Sequence, residues 1–163
     1  MQNEIIYYGL LVFLAIALLI AAFTDMRTRK IANWLNLAIA VTAPLFWWAS
    51  GLSLWPGVAM QLGLFFGVFA VLTGLWALKT IGGGDVKLLA ALALWITPGA
   101  FLKLIIIMAL AGGFLTIAMG FWHVVRRQKE RLVIPYGVAI AVGGLWVIGA
   151  DHGGASLLAA TLS

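Results

Sequence analysis

"IIYYGLLVFLAIALLIAAFTDMRTRKIAN", residues 5–33, decides the fold class. Residues 5–24 carry no charge, and as a helix they are long enough to cross a hydrocarbon layer of roughly 30 Å. The run stops at Asp25, and Arg27, Arg29 and Lys30 follow at once. An apolar helix that ends in a short basic loop reads as a retained membrane span. The preceding "MQNE" lacks the positive region of a secretory signal, and the apolar core is longer than such a signal needs.

The same pattern recurs outward from that stretch. The chain has 163 residues, 64% of them hydrophobic and 9% charged, with a mean hydropathy of +1.12. That profile excludes a soluble domain. The reading is an all-α, polytopic membrane protein with six transmembrane helices in a single domain, residues 1–163, with spans at about 5–24, 34–50, 57–78, 86–98, 100–122 and 133–150. The fourth span is short for a bilayer unless its helix starts near Asp85. Trp47 and Trp48 close the second span, where tryptophan commonly anchors at the interface. In the third, Gly63 and Gly67 have the GxxxG spacing of close helix approach, with packing inside the chain the expected use and dimerisation the other. The tail from Asp151 is too short to span.

Charge supplies orientation. Alternating spans put the loops 25–33, 79–87 and 123–131 on one side, and these hold Arg27, Arg29, Lys30, Lys79, Lys87, Arg126, Arg127, Lys129 and Arg131. By the positive-inside rule that side is cytoplasmic, with Lys103 alone opposite and both termini facing outward. The net charge of +5 therefore reflects topology, and the basic residues form no face interleaved with aromatics of the kind nucleic acid needs. Without cysteine there is no disulfide and no thiolate chemistry.

Among five acidic residues, Glu4 and Asp151 lie near the termini and Glu130 among basic neighbours. Asp25 and Asp85 remain, each at the cytoplasmic edge of a span, so the two carboxylates share one depth. A close carboxylate pair shares a proton, titrates as a pair, and can activate a water while protonating a leaving group. Asp85 sits in "IGGGDVKLL" (81–89), where glycines admit a substrate backbone that side chains would obstruct. Lys87 either biases a nearby carboxylate toward ionisation or holds the loop at the headgroups. Plainer readings stand beside these: Asp85 as an ordinary helix cap, Asp25 as an interfacial ion pair. His123 and His152 have no metal-site spacing, so neither metal nor cofactor is expected. Asn33 and Asn36 are expected to cap and hydrogen-bond near Asp25, and Pro135-Tyr136-Gly137 to open and pack the sixth helix.

"GGGD" (82–85) resembles the GxGD signature of intramembrane aspartic proteases, and "GGGDVKLLAALALW" (82–95) is similar to the form found in type IV prepilin peptidases. "DMRTRKIANWLN" (25–36) resembles that family's other aspartate motif, with Ala32 where proline is usual, and "IPYGVAIAVGG" (134–144) resembles its late Pro-Tyr/Phe-Gly element. The resemblance covers about residues 10–150. It implies Asp25 and Asp85 as the catalytic pair, with Gly82, Gly84 and Lys87 supporting the loop or the substrate. Long members carry a cytoplasmic zinc-binding domain linked to methylation. Lacking cysteine, this chain looks like the short form serving tight-adherence (Flp-type) pili, and methyltransferase activity is not expected.

The implied function is cleavage of the leader peptide of prepilin- or pseudopilin-like substrates at the cytoplasmic face of a bacterial inner membrane. The partners are that protein substrate and the lipid bilayer, with no nucleic acid and no oligomeric state specified. A small transporter or channel subunit using Asp25 and Asp85 for cations or protons is the alternative, and it would place ionisable groups at the midplane. A structural subunit of a secretion apparatus is a third reading, in which both aspartates are dispensable.

Overall fold

The computed structural model describes residues 2–125 and 134–153. Among them the backbone forms six α-helices and no strand: α1 (Gln2–Thr28), α2 (Asn33–Ala49), α3 (Ala59–Ala77), α4 (Gly83–Ala93), α5 (Pro98–Val125) and α6 (Tyr136–Ile148). The protein is an all-α polytopic membrane protein. Three helical stretches, Asn3–Thr28, Leu54–Ala77 and Pro98–His123, are long and apolar enough to cross a membrane. Arg126, Arg127, Lys129, Glu130 and Arg131, and the tail from residue 154, lie outside the described residues.

Local backbone chemistry sets the breaks. α1 ends where Arg29 takes a left-handed conformation, φ 56°, with its N–H donating to Asp25 O at 2.9 Å. α2 then opens at Ala32, whose φ of −66° is the angle a proline would impose, and whose carbonyl accepts from the N–H groups of Leu35 and Asn36. Lys79, φ 58°, closes α3 in the same left-handed way.

α1 packs on α2 and α6, and α4 also packs on α2 and α6, so these four helices close a ring. α3 lies outside it on α4, and α5 outside it on α6. α4 is the centre of the core, with every residue from Leu88 to Ala93 buried. Its 11 residues span only about 16 Å, so its last carbonyls end within the bundle, where each needs a partner. Those partners come from neighbouring helices. Trp47 Nε1 donates to Leu94 O at 2.7 Å, and the Gln61 amide, turned to satisfy both, donates to Ala93 O at 2.8 Å and Ile96 O at 2.9 Å. Trp95 Nε1 returns the tie to α2, donating to Ile39 O at 2.8 Å.

Three sequence expectations change here. Residues 94–97 form a turn, so the helix within the expected 86–98 span begins earlier and ends sooner. Of the tryptophan pair, Trp48 is exposed, whereas Trp47 is half-buried and bonded to the end of α4. The expected GxxxG packing is not made among the described residues: a Cβ on Gly63 or Gly67 would meet nothing within 4 Å, and a cavity of about 350 Å³ lies over them. The close approach uses other glycines. A Cβ on Gly143 would sit 2.9 Å from Leu104 O, and one on Gly144 would sit 2.8 Å from Leu18 Cδ1.

Gly143→Ala is therefore expected to destabilise the protein by about 1–3 kcal/mol, because a backbone carbonyl cannot swing aside. Gly113→Ala, where a Cβ meets nothing within 4 Å, should stabilise by about 0.5–1 kcal/mol. Thermal unfolding in detergent checks the pair, and shifts of the same sign would contradict this packing.

Candidate active site

Asp25 occupies the last turn of α1 and is 7% exposed. Asp85 is the third residue of α4, and Gly82 caps that helix with extended backbone, φ −73° and ψ 140°. From this position the Asp85 carboxylate reaches back to the Gly82 N–H, as an acidic residue at the third helical position does in a capping box. The glycines are required by proximity. A Cβ on Gly82 would stand 2.8 Å from Asp85 Oδ2, and one on Gly84 would stand 3.2 Å from Ile31 Cβ. The glycine loop is thereby pressed against the loop that follows Asp25.

α6 supplies the other carboxylate's support. The Gly137 N–H donates to Asp25 Oδ2 at 2.8 Å in a buried contact, and a Cβ on Gly137 would lie 2.9 Å from both Asp25 Cβ and Oδ2. Gly137 is the second residue of α6, so its amide is one of the N–H groups that no helix can satisfy internally. Each aspartate thus meets a helix N-terminus, where partial positive charge favours an anion: Asp85 its own, Asp25 that of α6.

Asp25 and Asp85 line one cavity of about 310 Å³, together with Arg29, Lys30, Asn33 and all three glycines of the loop. Asp85 precedes the apolar run of α4. Burial first, and the Asp25 charge second, push it up to about 6, against the pull of the Gly82 N–H. Asp85 therefore holds a proton over a pH range in which a free aspartate has lost it.

The structure brings together Asp25, Gly82, Gly84 and Asp85. Lys87 is placed apart from them: it lines two adjoining cavities, and its Nζ donates to Asn33 Oδ1 at 2.8 Å. Asn36 hydrogen-bonds near the pair as expected, its Nδ2 donating to Gly84 O at 3.5 Å. Gly137 does more than open and pack α6, since its amide fixes Asp25. Its signal in the sequence was the "IPYG" element, and nothing there named an aspartate as its partner.

An all-α membrane bundle with two carboxylates over one cavity at helix ends defines a class of polytopic protein built around an acid pair. The sequence profile of the type IV leader peptidase family matches residues 12–117, a stretch that contains both aspartates, and the chain belongs to that family. It is similar to the prepilin leader peptidase/N-methyltransferase of Burkholderia pseudomallei (strain 1026b), 30% identical over 141 residues that make up 80% of this chain and 43% of that one. The protein of the same name from Pectobacterium carotovorum subsp. carotovorum is 30% identical over 157 residues, 85% of this chain and 50% of that one. The chain thus spans about half the length of the curated relatives it matches. No solved structure matches it significantly.

Gly137→Ala should cost about 1–3 kcal/mol of stability by pushing the Asp25 carboxylate from its donor. The double variant Gly137→Ala/Asp25→Ala, which removes the displaced carboxyl, should lose less than the sum of the single losses. Strict additivity of the melting shifts would show that the two groups do not meet.

Proposed function

We propose that this chain is an aspartic endopeptidase that removes the leader peptide of prepilin- or pseudopilin-like substrates, with Asp25 and Asp85 as the catalytic pair. The observation that carries this reading is the convergence of both carboxylates on one cavity, in a chain that belongs to a leader peptidase family. The names of the relatives support the substrate class. Those names also include N-methyltransferase, but paired carboxylates account for hydrolysis and not for methyl transfer, so the proposal is limited to the peptidase. The cysteine-free sequence favours the short, Flp-type form. We place the site at the cytoplasmic face of the inner membrane in a six-span topology, on the strength of the basic loops.

Their environments support distinct roles for the two aspartates. Asp25, with Oδ2 engaged by the Gly137 N–H, is the carboxylate that takes a proton from water through its free oxygen. The water oxygen attacks the scissile carbonyl carbon while Asp85 gives its proton to the carbonyl oxygen. Asp25 then passes its proton to the amide nitrogen, the C–N bond breaks, and a hydroxyl of the tetrahedral intermediate returns a proton to Asp85. Both carboxyls end as they began, and no covalent intermediate forms. No specific observation favours the cation- or proton-handling reading.

Co-expression with a prepilin tests the pair. Asp25→Asn and Asp85→Asn keep side-chain size but remove the exchangeable proton, and each should slow leader removal on a gel by about 10²-fold or more. Parental-rate processing by either variant would reject the dyad. With purified protein, kcat/KM should fall as pH rises through about 6, where Asp85 in the free enzyme gives up its proton. A descending limb near the ordinary carboxylate value would contradict the assignment of Asp85 as the acid.

A further inference from the structure

A second cavity, of about 440 Å³, adjoins the aspartate site. It is a groove between helices: α3 packs on α4 rather than on α2, which leaves a cleft along α4 between the other two. Its floor is Ala90 and Ala91 of α4, small enough for another helix to come close. Leu37 and Ala40 of α2 form one wall, and Phe65 and Phe69 of α3 the other. At one end Asn33 belongs both to this groove and to the cavity that holds Asp25 and Asp85, so the two spaces meet at that residue. From Asn33 to Ala40 the groove follows α2 for about 10 Å, or two helical turns.

One polar group in this lining is unfinished. Asn36 is 4% exposed, and its Nδ2 faces Gly84 O, which fixes the amide orientation. Its Oδ1 is buried and has no hydrogen-bond partner among the described residues. A buried acceptor without a donor is costly, and a donor supplied by a bound chain would offset that cost. The start of a helix has such donors, because its first four N–H groups find no carbonyl within the helix.

We infer that the groove between α2, α3 and α4 seats the apolar segment of the substrate that follows the cut bond, as a helix whose first-turn N–H groups meet Asn36 Oδ1. This rests on the peptidase reading and deepens it. The scissile bond must lie extended at the aspartates, and the chain beyond it passes Asn33 into a groove that takes about two turns, roughly seven residues, of helix. Lys87 is the one charged residue of the lining, its Nζ held by Asn33 Oδ1 at the aspartate end, and the walls beyond it present an apolar face. Among the described residues of the lining, Asn36 is the one with a buried polar atom that lacks a partner, and it sits one turn from the aspartate end.

Photocrosslinking in membranes tests the seat, using the full chain carrying Asp85→Asn so that a co-expressed prepilin stays intact. Benzoylphenylalanine replaces the groove residues Leu37 and Phe69, 63% and 41% exposed, and as a control Leu110 of α5, 70% exposed. Prepilin adducts should form at 37 and 69 but not at 110, and should map within about seven residues after the cut site. Equal adducts at 110, adducts only with lipid or a second copy of this chain, or no prepilin adduct at 37 and 69 would overturn the groove. With the otherwise parental chain, Asn36→Leu should raise KM about five- to tenfold with kcat within twofold. A fall in kcat at unchanged KM would overturn the acceptor role and leave Asn36 as a support of the glycine loop. The underlying reading is judged separately. A parental chain that leaves prepilin unprocessed sinks both proposals, whereas normal processing with crosslinks elsewhere sinks only the groove.

Discussion

The 2.8 Å hydrogen bond from the Gly137 N–H to Asp25 Oδ2 joins the end of α1 to the start of α6, and the site's geometry depends on it. It works only because residue 137 lacks a side chain, since a Cβ would occupy the space of the carboxylate it serves. The joint fixes Asp25 from the α6 side of the ring. On the other side, Gly84 against Ile31 fixes the loop that delivers Asp85. Two absent side chains on two helices thus set where two carboxylates stand. A bundle held by apolar packing alone would leave their separation soft, because side chains without directional bonds tolerate sliding.

Placing α4 at the centre has a cost that other helices meet. A helix too short to span leaves polar ends at depth, and lipid offers them no partner. At its first turn the unsatisfied N–H groups are useful, because they face an acid. At its last turn the carbonyls are capped by Trp47 and Gln61, residues with long or broad side chains that reach across from α2 and α3. Gln61 is the one fully buried residue of α3, and Leu64, Phe65, Val68 and Leu72 pack against the core partly buried. α3 leans on α4 and not on α2, and that arrangement is what opens the groove facing α2.

Much of this was legible in the sequence. Apolar runs and basic loops read as helices and turns because burial in lipid penalises every exposed polar group, a constraint that acts residue by residue. Asp25 and Asp85 stood out by elimination, as acids in a chain with few of them, each flanked by residues that made sense only at an interface. What was not legible depends on which helices touch. Gly63 and Gly67 carry the spacing of a close contact, yet Gly143 and Gly144 make it, because among the described residues α3 is separated on that face from Phe101 and Ile105 of α5 by a cavity. Lys87 lies two residues from Asp85 in sequence, but on a helix that separation turns the side chain to another face, and it meets Asn33 instead. Asn36 read as a local hydrogen-bonding residue, and the sequence could not show that half of its amide would go unpartnered.

The aspartate cavity is lined by charges of both signs. Arg29 and Lys30 share that lining with Asp25 and Asp85, so with both acids ionised the formal charges cancel. With Asp85 protonated, as its raised value favours below about 6, the cavity carries one excess positive charge. The cavity therefore carries no net negative charge that would draw in a cation over long range. The cations contribute differently. Arg29 is close enough to Asp25 to act on its carboxylate, and Lys87 is committed to Asn33. An acid pair so placed is tuned by its immediate neighbours.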